Sequence, residues 1–152
     1  METLQGILFA HPFFKDFPTP HMDLITGCAS NVRFEPGTFI FHEGEDAEKF
    51  YLIREGKVAL QITSERRGAL NIQTLGHGEI LGWSWLFPPY RWKFSALVID
   101  PTRAFAIDGH CLRDKSEQDH DLGYELLKRF SRIFEARLET VRLQLANVYE
   151  DK

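Results

Sequence analysis

Residues 37–60 read GTFIFHEGEDAEKFYLIREGKVAL, and this stretch decides the fold. It holds three short apolar runs, Thr38–Phe41, Lys49–Ile53 and the start of Lys57–Thr63. The runs are rich in Phe, Ile, Tyr, Leu and Val, which suit a pleated, half-buried surface. Between them lie Glu43-Gly44-Glu45-Asp46 and Arg54-Glu55-Gly56, polar segments that carry a turn glycine. The stretch therefore predicts strands joined by tight turns. The same rhythm continues outward. Glu35-Pro36-Gly37 precedes it, and Asn71–Leu75, Ser95–Ile99 and Arg103–Ile107 follow as further strands. They are set off by Arg66-Arg67-Gly68, Gly76-His77-Gly78 and Asp100-Pro101. Leu60–Asn71 reads as a hairpin with a charged, solvated tip. A turn every eight to twelve residues predicts a sandwich, jelly roll or barrel over 33–107.

The flanks differ. Residues 1–32 mix Ile7-Leu8-Phe9, Phe13-Phe14 and Phe17 with Pro12, Pro18 and Pro20, which forbid one long helix. One or two short helices are expected there, including one over 21–29. Residues 108–152 are expected to be helical, with a long final helix from Asp119. In it Leu127, Phe130, Phe134, Leu138, Val141, Leu145 and Val148 recur at intervals of three and four, and from Phe134 onward they follow a heptad. The stripe serves either this chain's own core or a partner helix. The 152 residues fit a single domain, 1–152.

Composition narrows the function. Eighteen Lys and Arg stand against 22 Asp and Glu, a net charge of −4, which argues against a general nucleic-acid binder. No run approaches the roughly 18 apolar residues of a membrane span. Cys28 and Cys111 form no CxxC pair and are read as free thiols, with Cys28 buried, in a cytoplasmic protein. His11 and His21 share no ligand spacing, and neither do His110, Cys111 and His120, so no metal site is expected. No nucleophile-elbow, phosphate-loop or zinc-protease motif occurs, so no catalytic residues are assigned and no enzyme is expected. Aromatics make up 13% of the chain, and its three tryptophans fall at 83, 85 and 92.

The glycine pattern carries a resemblance. Gly37-x-x-Ile40-x-x-x-Gly44, the aromatic strand after it, Gly56-x-Val58, and Gly78-Glu79-Ile80-Leu81-Gly82 resemble the framework of the cyclic nucleotide-binding domain family. Ser95-Ala96-Leu97-Val98 resembles the strand after that family's phosphate-binding cassette, and 100–107 its last strand. The final helix is similar to the one that dimerises catabolite-activator-like regulators. The resemblance covers about residues 5–149. It implies a mainly β fold with flanking α: a double-stranded β-helix, or jelly-roll-like β-roll, of eight strands or so, with short N-terminal helices and a long C-terminal helix. It also implies a stand-alone ligand-sensing module, a homodimer through the C-terminal helix, and a possible further protein partner. Those regulators carry a helix-turn-helix after the long helix. The sequence given ends at Lys152, so no direct DNA binding is expected.

The cassette departs from the family. There it begins G-E-[LI] and ends R-x-A. Backbone amides and the Arg hold the cyclic phosphate, and the Glu accepts from the ribose 2′-hydroxyl. Here 82–96 reads GWSWLFPPYRWKFSA. Gly82, Leu86, Ser95 and Ala96 match. The Glu position is Trp83, which has a donor and no acceptor. The Arg position is Phe94, with Arg91 and Lys93 beside it. The resemblance makes Gly82, Trp83, Ser84, Trp85, Arg91, Lys93, Ser95 and Ala96 the candidate ligand-binding residues, and it points on the purine side to Arg137, Thr140 and Arg142 of the helix. Three readings stay open. The site takes a cyclic nucleotide, or it takes another small ligand stacked on Trp83, Trp85, Tyr90, Trp92 and Phe94 with Arg91 or Lys93 as anion anchor. In the third, aromatics fill the vacated space because interiors do not tolerate voids.

Overall fold

A computed structural model describes residues 3–150, which divide after Lys115 into two compact units. The first unit opens with α1 (Leu4–Phe9), capped by Thr3, whose Oγ1 accepts from the Gly6 amide at 3.0 Å. A 3₁₀ turn at Pro12–Phe14 follows, with Pro at its first position as the missing N–H allows. A second 3₁₀ turn at Thr19–His21 leads into α2 (Met22–Thr26). Then come β1 (Ala29–Phe34), β2 (Phe39–Phe41), β3 (Lys49–Ser64), β4 (Gly68–Leu75), β5 (Ile80–Leu81), β6 (Ser95–Asp108) and α3 (Gly109–Gln118). All strand pairs are antiparallel. The order is β1-β6-β3-β4, with β2 also on β6 and β5 on β3.

The β-roll with short helices before it and a long helix after it is therefore the architecture. Two expectations need refining. The β region begins at Ala29, inside the segment read as helical, because polar β1 is stabilised by its ladder to β6 from Ala29↔Ile107 to Phe34↔Thr102 and not by its own pattern. Strands read as separate are continuous. β3 spans the turn signal at Arg54–Gly56, and β6 spans Asp100-Pro101. The β3–β6 register shifts three times between Ile53 and Val58, so bulges rather than turns bend these strands. Gly56 sits in that bend at φ 114°, and a β-carbon there would strike the Thr102 main chain.

Alternation along β3 splits the core. Ile53, Val58 and Leu60 face the roll interior with Phe41, Leu75, Leu81, Trp92 and Ala96, all buried. Phe50 faces the other way, 6.5 Å from the Phe13 ring and 4.9 Å from Trp85. Phe9, Phe14 and Phe17 form a tilted and edge-on cluster beside it. Buried His11 joins the two parts. Its Nδ1 accepts from the Phe13 amide at 3.2 Å, so its Nε2–H donates to the Ile53 carbonyl at 3.0 Å. Burial lowers its pKa from the usual value, against the raising effect of that hydrogen bond.

The cysteines correct the free-thiol expectation. Cys28 and Cys111 are disulfide-bonded, with Cα atoms 5.9 Å apart. They are 83 residues apart in sequence, too far for spacing to suggest a pair. The β1–β6 ladder ends on Ala29↔Ile107, which brings the residue before β1 next to the first turn of α3.

The second unit is the end of α3 and α4 (His120–Glu150), about 46 Å of helix. Leu122, Leu126 and Phe130 are buried, whereas Leu127, the first residue of the predicted stripe, is exposed. Leu138, Val141, Leu145 and Val148 are each more than half exposed. Among the described residues no helix is long and apolar enough to cross a membrane.

Candidate functional site

The cassette loop, 82–94, joins β5 to β6. Gly82 ends β5 at φ 96°. Trp83 is half-buried, and a 3₁₀ turn at Ser84–Leu86 begins after it, closed by the Leu86 amide on the Trp83 carbonyl at 3.0 Å. Ser84 is buried. Trp85 turns outward from the roll and stacks on Phe50, with planes 14° apart. Gly109 makes room for it, because a β-carbon there would come 2.7 Å from the Trp85 Cβ. Arg113 of α3 donates to the Trp85 carbonyl and lays its guanidinium 4.1 Å over the Tyr90 ring. Tyr90 has φ 56°, a left-handed backbone rare for a bulky residue.

The second half of the loop runs against 44–47. The Gly44 amide donates to the Trp92 carbonyl at 2.8 Å, the Trp92 amide to the Glu45 carbonyl at 2.9 Å, and the Ala47 amide to the Tyr90 carbonyl at 2.7 Å. Trp92 turns inward, 4% exposed, and stacks on Phe41 at 3.7 Å with planes 5° apart. A β-carbon on Gly82 would overlap the Trp92 ring, so this glycine is required by close approach as well as by its φ. Phe94 leans on the pair, 5.7 Å from Phe41.

The candidate residues are thus dispersed. Arg91 is tied to the surface, 3.4 Å from the Asp46 carboxylate and 3.0 Å from the Gly44 carbonyl. Lys93 is exposed. The Ser95 Oγ accepts from the Glu43 amide at 2.9 Å, and Ala96 is buried in the roll opposite Leu60. Of the five aromatics read as one stacking set, four fall in three places: Trp85 in the outer core, Tyr90 under Arg113, and Trp92 and Phe94 in the roll. A cleft of about 550 Å³ opens beside Trp92. Its polar wall holds Glu45, Asp46 and Glu48 against Lys49 and Arg91, with Tyr51 at its side. Burial raises the Tyr51 pKa, which keeps its hydroxyl a donor. Sequence reasoning passed over this acidic wall, because Glu45–Glu48 read only as a turn. It passed over Arg113 as well, because nothing local marks a helix arginine that reaches back some two dozen residues.

Gly37, Gly44, Gly56, Gly78 and Gly82 all adopt positive φ, as the framework requires. The family model for the cyclic nucleotide-binding domain matches residues 31–119, more than half of the chain. The chain belongs to the cyclic nucleotide-binding domain family. Its structure is similar to that of a Geobacter metallireducens GS-15 protein described as cyclic nucleotide-binding, with TM-score 0.80 and 28% identity over 90% of this chain and 99% of that one. The fold is shared with the catabolite activator protein of Thermus thermophilus at TM-score 0.70 and 22% identity, over 90% of this chain and 62% of that one. Among curated proteins, an anaerobic regulatory protein of Bacillus subtilis (strain 168) is 28% identical over 111 residues, 72% of this chain and 46% of that protein. The chain thus spans less than half the length of that relative.

Proposed function

We propose that this chain is a non-enzymatic regulatory module on the cyclic nucleotide-binding fold, responsive to a small molecule other than cAMP or cGMP. One observation supports the reading: Trp83 and Phe94 fall at the positions that the resemblance gives to the cassette carboxylate and guanidinium, while Arg91 is paired with Asp46 and Lys93 is exposed. The cleft beside Trp92 sets three carboxylates against Lys49 and Arg91, the latter paired with Asp46, a net negative lining that disfavours a phosphate. An uncharged or cationic planar ligand suits it, stacking against Trp92 and hydrogen-bonding to Tyr51 or the carboxylates. Ligand binding would shift the cassette and reposition α4, and a partner would read that change.

The partner nearest to hand is a second copy. Phe134, Leu138, Val141, Leu145 and Val148 keep a four-three spacing, and the last four are exposed along α4. A parallel pair of such helices buries that seam. The description of the Bacillus subtilis relative as a regulatory protein supports a regulatory role, and a cytoplasmic location is part of this proposal. A second reading is an interaction module with no ligand, and the Phe41–Trp92 stack that occupies the roll interior favours it.

Calorimetry with cAMP, cGMP and a panel of uncharged and cationic planar compounds separates these. The proposal expects no heat from the cyclic nucleotides and saturable binding within the panel. Micromolar cAMP binding overturns it, and a flat response throughout leaves the second reading. In sedimentation, Leu145→Glu is expected to convert a dimer to a monomer; a wild-type monomer at tens of micromolar would rule out the α4 seam.

A further inference from the structure

The disulfide sits where it can act on the cassette. Cys28 is 7% exposed, immediately before β1, and Cys111 is half-buried in the first turn of α3. Two residues beyond Cys111 on the same helix is Arg113, which holds the Trp85 carbonyl and the Tyr90 ring. A cleft of about 440 Å³ separates that turn from the cassette and is lined by Tyr90, Pro89, His110 and Arg113. Cassette and disulfide are therefore joined by one short helical segment. Its other ties are the burial of Gly109 and Leu112 and three hydrogen bonds: the Gly109 amide on the Glu48 carbonyl at 2.7 Å, the Asp108 amide on the Cys28 carbonyl at 2.8 Å, and Asp108 Oδ1 capping the Cys111 amide at 3.0 Å.

We propose that Cys28–Cys111 is a reversible redox modification site that sets the mobility of the cassette through Arg113. The reductant is a dithiol of the thioredoxin class. Its thiolate attacks the more accessible sulfur, Cys111 Sγ, forming a mixed disulfide and expelling the Cys28 thiolate, which takes a proton from water. The reductant's second thiol then attacks its own half of the mixed disulfide and releases Cys111. One protein disulfide and one dithiol become two protein thiols and one reductant disulfide. With the bond gone, the first turn of α3 keeps its hydrogen bonds and the burial of Gly109 and Leu112 but loses its covalent tie to the start of β1, so the base from which Arg113 holds Trp85 and Tyr90 is less firmly fixed. The oxidised state keeps the cassette closed, and the reduced state lets it open. This deepens the reading of the cassette as the responsive element and rests on it.

Hydrogen exchange on the full chain, oxidised and after reduction with a phosphine, tests it alongside a thiol count in denaturant. The reporters are the amides of Leu86, Tyr90 and Trp92, bonded to the Trp83, Phe87 and Glu45 carbonyls, and those of Gly44 and Ala47, bonded to the cassette. Reduction is expected to raise the thiol count from zero to two and to speed these amides on the order of tenfold, with the β3–β4 ladder changed less than about twofold. Cys111→Ser should match the reduced protein and ignore the phosphine. Arg113→Ala should exchange fast at the cassette already when oxidised and gain nothing there on reduction. Two free thiols in the air-oxidised protein would overturn the proposal, as would cassette rates equal in both redox states. No ligand enters the assay, so a flat ligand panel leaves this result standing, and a redox-insensitive cassette leaves the ligand reading standing.

Discussion

Trp85 and Trp92 sit on one loop and hold its two halves in opposite ways. Trp85 anchors the first half from outside the roll, on Phe50, with Arg113 over its carbonyl. Trp92 anchors the second half from inside, on Phe41 and against Gly82, with its backbone laced to Glu45 and Gly44. Stacking and backbone hydrogen bonds hold this loop against Phe50 on one side and Phe41 and residues 44–47 on the other. The inner anchor is part of the roll core, so loosening it costs folding energy. The outer anchor also stacks a buried ring, Trp85 on Phe50, but Arg113 adds a side-chain contact that can be removed without emptying either core.

The largest effect expected is from Trp92→Ala, which removes a buried ring from the roll. It should cost about 3–5 kcal/mol, read from urea unfolding. A loss under about 1 kcal/mol would mean that the inner anchor is not a core element.

Gly82→Ala should come next, at roughly 2 kcal/mol, from its positive φ and the clash with Trp92. Placed in the Trp92→Ala background it should cost less, because the ring it strikes is gone. Strict additivity in that double-mutant cycle would break the contact between the two residues.

Arg113→Ala should cost only about 1–2 kcal/mol, from one hydrogen bond and one cation–π contact. If it destabilised the protein as much as Trp92→Ala does, the two halves would not differ as described.

The smallest effect lies outside the loop and serves as its control. His11 is neutral in the fold, its pKa held below the usual value first by burial. The unfolded chain therefore binds a proton that the folded chain refuses. Stability contributed by the neutral ring is intact above about pH 6.5 and falls as the pH drops below that unfolded value. Thermal unfolding between pH 8 and pH 5 should show this slope in the wild type and less of it in His11→Asn, with the cassette variants keeping the wild-type slope. An equal slope in His11→Asn would assign it to other groups.

The roll was legible because its turns depend on backbone geometry that only a few residues supply. Gly37, Gly44, Gly56, Gly78 and Gly82 mark it, and each has the positive φ their spacing implies. Strand β1 was not legible, since Ala29–Asn31 have little β character and gain it from β6. The disulfide was hidden for the same reason: only the β1–β6 register brings Cys28 to Cys111. At the site, the sequence did not reveal where the aromatics point. Alternation cannot be read through a loop, so Trp85 and Trp92 looked like partners in one aromatic set, although they belong to different cores.

The central claim is that aromatic packing, not a phosphate, closes this cassette. A titration of cAMP followed by amide NMR signals of Gly82, Ser84, Ser95 and Ala96 tests it most directly. The account predicts no saturable shift at these four amides up to roughly 1 mM ligand, the concentration at which even a binding free energy of about −4 kcal/mol would register. Saturable shifts at those amides with a micromolar midpoint would contradict it.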